Sequence, residues 1–219
     1  MGAVLGELLP FALAVAISPI PIIAVILMLL APKAGGTSMG FLIGWVAGIV
    51  VATAIFIWLA GAIGLSAGSG EPSAAVSWVK LVLGLVLLGL AGKQWKSRGR
   101  PGLPGWMKAI DRLTAVKAAG LGAALAAVNP KNLMMCVAAG VAIAQGGTHA
   151  VLLLAVFTVL AACSVAVPVV VYAVAADRMR APLDRLKGWL EQNNATVMFV
   201  LLLVIGVVLI GKGLGGLLP

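Results

Sequence analysis

A lysine stands in the middle of an apolar, Ala- and Gly-rich run from 118 to 144, within the stretch AAVNPKNLMM at 126–135. Lys131 is too far from either end of that run to reach water by stretching its stem. A charged group at such depth in lipid costs at least about 2.5–3.5 kcal/mol, so a use for it must be sought. Its neighbours Asn129, Pro130 and Asn132 break the helix and add hydrogen-bonding groups. A second break of the same kind, Ser18-Pro19-Ile20-Pro21, lies inside the first apolar run. Proline removes a backbone donor and frees carbonyls that must find partners within the protein. Two uses for Lys131 follow. It binds an anion, aided by the N–H groups that open the half-helix after the break, or it is held by carbonyls freed at the opposing SPIP break. The predicted substrate-binding set is Ser18, Pro19, Pro21, Asn129, Pro130, Lys131 and Asn132.

The anion reading draws support from what surrounds the lysine. No Asp or Glu falls in the middle of an apolar run; Glu7 is near one end of the first, and the other acids lie in connecting segments. Phosphate, sulfate or carboxylate would suit the site. A divalent metal would lack ligands, and no cofactor is expected. Catalysis finds no constellation either. His149, the one histidine, is expected in a solvated loop, and Ser18, Thr53, Thr158 and Ser164 have no neighbouring base. Cys136 and Cys163 read as buried small apolar residues rather than a thiol pair. The chain is expected not to be an enzyme.

The elements that carry these residues must lie in lipid. Of the 219 residues 63% are hydrophobic and 10% charged, with a mean hydropathy of +1.18. A soluble domain averages about 25% charged residues. Apolar runs long enough to cross about 30 Å of hydrocarbon fall near 5–31, 39–64, 74–96, 118–144, 150–175 and 194–217. The expected fold is therefore an all-α polytopic membrane protein with six transmembrane helices. Gly40, Gly44 and Gly48, Gly84 and Gly89, and Gly206 and Gly211 would let those helices approach closely. The N-terminus carries Glu7 and no Lys or Arg before its apolar run, so it reads as a retained helix rather than a signal peptide.

The net charge of +9 is not spread as a nucleic-acid binder would need. Twelve of the fifteen Lys and Arg fall in three connecting segments: Lys33, Lys93 to Lys117, and Arg178 to Lys187. That asymmetry puts the basic loops in the cytoplasm and both termini outside. Two of these segments are amphipathic, with Met179, Leu183, Leu186 and Leu190 on one stripe and Trp106, Ile110 and Leu113 on another. Each is expected to lie on the inner interface, cations toward anionic headgroups.

The halves also match. With Pro19 laid on Pro130, the GGT at 35–37 falls on the GGT at 146–148 without a gap. LLGLAGK at 87–93 then answers VVLIGK at 207–212. Each half holds three helices, an odd number, so the second enters the membrane upside down. The result is an inverted repeat whose first helix in each copy is broken at proline, a common transporter plan. The division is 1–97 for the first repeat, 98–117 for a basic linker and 118–219 for the second repeat, in one integral membrane domain.

The stretch SPIPIIAVILMLLAPKAGGTSMGFLIGW at 18–45, NPKN at 129–132 and the three-plus-three arrangement resemble the GAP/Sap family, the glycopeptidolipid- and sulfolipid-addressing proteins of the lysine-exporter (LysE) superfamily. The amino-acid exporters of that superfamily usually read Pro-Gly-Pro where this chain has Pro19-Ile20-Pro21. The resemblance implies movement of an envelope glycolipid or another anionic amphiphile across the bacterial inner membrane. The alternatives are a non-transporting accessory subunit of a lipid-export assembly and an exporter of a small solute such as an amino acid. The partners to expect are a membrane lipid, export machinery or further copies of the chain, and no nucleic acid.

Overall fold

The computed structural model describes residues 2–32, 34–64, 74–97, 107, 110 and 112–217. These are helical, with no strand among them. Helix α1 (Gly2–Ala16) and α2 (Pro19–Leu30) form one apolar path bent by 50° at Ile17-Ser18. Helices α3 (Ala34–Ala62) and α4 (Ala74–Ser97) are unbroken. Helices α5 (Ala115–Ala127) and α6 (Pro130–Ala144) form a second bent path, turned by 64° at Val128-Asn129. A short 3-10 turn, Gly147–His149, leads into α7 (Ala150–Gly215). Both bends fall where the prolines were read to break the chain. Pro19 and Pro130 each open the second helix of a pair, where the missing N–H costs nothing.

Three helices are long and apolar enough to cross a membrane, or five paths if each bent pair counts as one. The protein is thus a multi-pass, all-helical membrane protein. Helix α7 contains a further interruption: Ala175 leaves helical geometry at φ −143°, ψ 51°. Beyond it, Leu183 and Leu190 are buried, Met179 packs against the core and Leu186 is exposed, so three of the four expected stripe residues face inward. Trp106 and much of the linker, with Arg98, Arg100 and Lys108, lie outside the described residues, while Ile110 is buried.

Small residues set the closest contacts. A Cβ at Gly40, Gly44 or Gly48 would run into the backbone of Ala115, Ala119 or Ala123 respectively. The matched ascent of both series means that α3 and α5 run side by side in the same direction. Gly84 and Gly206 bring α4 against the last part of α7; there the pairs Leu81–Gly213 and Leu88–Gly206 descend against one another, an antiparallel contact. Gly89 and Gly211 have open space around them and mediate no such approach, contrary to expectation. They face away from the seam that Gly84 and Gly206 make. Helices α1 and α2 pack on α7, and α6 packs on α3 and α1.

Candidate functional site

The two breaks dispose of their freed backbone groups differently. At the second, Asn129 ends its extended conformation by accepting the Lys131 N–H on Oδ1 at 3.1 Å, an N-cap for α6. Asn132, 0% exposed, turns its Nδ2 back to the Leu125 carbonyl at 3.0 Å. That carbonyl would have taken the Asn129 N–H had the helix continued. The break is closed by its own side chains.

At the first, Ser18 occupies the same N-cap position but makes no side-chain cap bond. Its N–H donates to Val15 at 3.2 Å, three residues back, so the Ala14 carbonyl loses its regular i+4 donor. The donor that replaces it comes from the other half of the chain. Lys131, 3% exposed, donates from Nζ to the Ala14 carbonyl at 2.5 Å. The amine is thus hydrogen-bonded to a carbonyl freed at the SPIP break. The lysine has a partner, but that partner is a dipole and not an opposite charge.

The predicted residues are distributed as follows. Ser18, Pro19 and Pro21 are buried at the start of α2, and Lys131 and Asn132 are buried at the start of α6. Asn129 is half-buried and Pro130 exposed. Lys131 reaches the last turn of α1, so the α6 start and the end of α1 meet. Ser18 Oγ and Asn132 Oδ1 are buried with no hydrogen-bond partner among the described residues. A buried polar atom left unpaired costs about 1–3 kcal/mol. Two such atoms within a residue or two of the breaks are the kind of group a polar ligand would satisfy.

An ion cluster at one end of the bundle escaped the sequence reading. Glu7 of α1 lies 2.6 Å from Lys80 of α4 and 3.7 Å from Lys212 of α7. It ties three helices at the end where α1 and α4 begin and α7 finishes. Their separation in the chain left no local signal; only the antiparallel α4–α7 seam juxtaposes them. Cys136 is buried as expected, but Cys163 is exposed on α7, because the outer face of a helix in lipid tolerates a small apolar residue as well as the core does. His149 is exposed. No group of three or more metal-ligating side chains occurs among the described residues.

Searches of curated proteins and of solved structures return no match to the chain. The family model described as Sap, sulfolipid-1-addressing protein, matches residues 8–215, which take in both breaks and nearly the whole bundle; the chain belongs to this family.

Proposed function

We propose that the protein moves an anionic amphiphile, an envelope lipid or its precursor, across the bacterial inner membrane, and that Lys131 receives the anionic group. The observation that carries this is a buried lysine at the meeting point of two helix breaks, held by a carbonyl and by no acid among the described residues. Its charge is therefore oriented but not cancelled, and Ser18 Oγ and Asn132 Oδ1 stand unpaired near the same breaks. The family's printed description names a sulfolipid, whose sulfate fits an ammonium flanked by helix N-termini. The residues in this role are Ser18, Asn129, Lys131 and Asn132, with Pro19, Pro21 and Pro130 making the breaks. The chemistry needs no bond to be made or broken, so the reading is not that of an enzyme.

Six spans in two inverted repeats, as in the LysE superfamily, complete the reading. Straight, the 66 residues of α7 would reach about 99 Å, three times a hydrocarbon core of about 30 Å. The Ala175 break supports two spans joined by an interfacial segment. The broken pair α5–α6 packs on α3 as α1–α2 packs on α7, the exchange that inversion would produce. Basic loops then lie inside and both termini outside. In a background with Cys136 and Cys163 replaced by Ala, a cysteine at His149 should react with an impermeant reagent outside intact cells and one at Ser97 should not; the reverse pattern overturns this orientation.

Two substitutions separate the roles of Lys131. Lys131→Gln keeps an N–H donor for the Ala14 carbonyl without the charge, and Lys131→Met removes both. In vesicles carrying a labelled anionic lipid, both variants should lose transport. Transport by folded Lys131→Gln at the wild-type rate would leave the lysine a structural pin. A wild-type protein that moves no lipid alone would favour the accessory-subunit reading.

A further inference from the structure

An almost wholly apolar groove of about 270 Å³ runs along the surface between the first break and the last part of α7. Ile17, one residue before Ser18, closes one end; Trp189, Asn193, Thr196, Val200 and Leu201 form its wall. Trp189, Asn193, Thr196 and Val200 recur at three- to four-residue steps and Leu201 adjoins Val200, so they make one stripe along a helix. Trp189 to Leu201 is twelve residues, about 18 Å at the helical rise, against about 15 Å for half a hydrocarbon core. The groove thus has the depth of one leaflet. Trp189, 54% exposed at its mouth, is the residue type that sits at the headgroup level. Arg185, one turn before Trp189 on the same face, is exposed and has no ion pair among the described residues, whereas Lys187 is paired with Asp184 at 2.9 Å.

We propose that this groove holds one acyl chain of an anionic membrane lipid, with its headgroup beside Arg185 and Trp189 and its chain end at Ile17. This rests on the functional reading above and deepens it: the chain lies in a track that ends at the first break, where Lys131 is anchored. The track takes a chain by its apolar wall and its length, and selects charge at its mouth. It leads a lipid from the inner interface to the midplane without removing the chain from hydrocarbon.

The test uses the full chain in phosphatidylcholine vesicles that contain a minor fraction of phosphatidylglycerol with a diazirine near the methyl end of its acyl chain. After irradiation, adducts are mapped by peptide mass spectrometry. Adducts at Ile17, Val200 and Leu201 should exceed those at Val159 and Val174, which are 70% and 85% exposed on another part of α7, by about tenfold, the ratio given by a preference of about 1.4 kcal/mol. Val200→Trp should reduce groove adducts to the level of Val159, and Thr196→Trp serves if that variant does not fold. Equal labelling at Val159 and Val200 would mean ordinary surrounding lipid and overturn the proposal. So would cross-links from Val200 to a second copy of the chain. A diazirine phosphatidylcholine that labels the groove equally well would overturn the anionic selection. In Lys131→Gln, groove labelling should persist while transport is lost. Labelling with normal transport would sink the role of Lys131 and leave the groove; loss of transport with uniform labelling would sink the groove alone.

Discussion

The two proline breaks look alike in the chain and are repaired in opposite ways. At 128–132 two asparagines three residues apart, one a cap and one a tether, satisfy groups left free at the Pro130 break. At 17–21 the serine does neither, and the Ala14 carbonyl depends on a lysine from the other half. A break mended by its own side chains is a fixed bend. One mended from across the molecule links the two halves through a single hydrogen bond, and whatever draws the lysine away unmakes the repair. An anion competing for Lys131 would do that, so binding and a change at the SPIP break become one event.

This contrast can be broken by substitution, with stability read from thermal unfolding in detergent. Lys131→Met should have the largest effect, about 1.5–3 kcal/mol, because it removes a charge-assisted donor and leaves the Ala14 carbonyl buried. Asn132→Ala should cost about 1–2 kcal/mol by freeing the Leu125 carbonyl within its own half. Asn129→Ala should cost about 1 kcal/mol, the worth of a cap. Ser18→Ala should lie within about 0.5 kcal/mol of wild type, since its hydroxyl has no bond to lose. If Ser18→Ala proves as costly as Asn129→Ala, the two breaks are mended alike and the contrast fails. If Ser18→Ala is silent in stability but slows transport, the contrast sharpens, because the hydroxyl then serves the substrate.

The positions of the breaks and the first four apolar runs were legible because proline and long hydrophobic runs act locally, whereas the runs at 150–175 and 194–217 fall within the one helix α7. The glycines at 40, 44 and 48 were legible for the same reason, each four residues from the next and so on one helix face. Gly89 and Gly211 show the limit: spacing marks a face and not what covers it. The partner of Lys131 was narrowed to a class, a freed carbonyl or an anion, but which carbonyl was not readable. Every residue carries one, and only the fold brings Ala14 within reach. Glu7, Lys80 and Lys212 were hidden for a related reason, as their attraction depends on how three distant helices are arranged.

The close seam between α3 and α5 bears on how such a protein is made. Synthesis releases α3 well before α5 exists, so the face containing Gly40, Gly44 and Gly48 first meets lipid or the insertion machinery. That face is shaped for the alanine backbone of a later segment, and lipid tails cannot approach it as closely. The first half is thus left with an unfilled groove until the second arrives. Residues 1–97 expressed alone should be short-lived in the membrane, and residues 98–219 supplied as a separate chain should rescue them. That rescue would make assembly of this bundle a late event in which both halves become stable together.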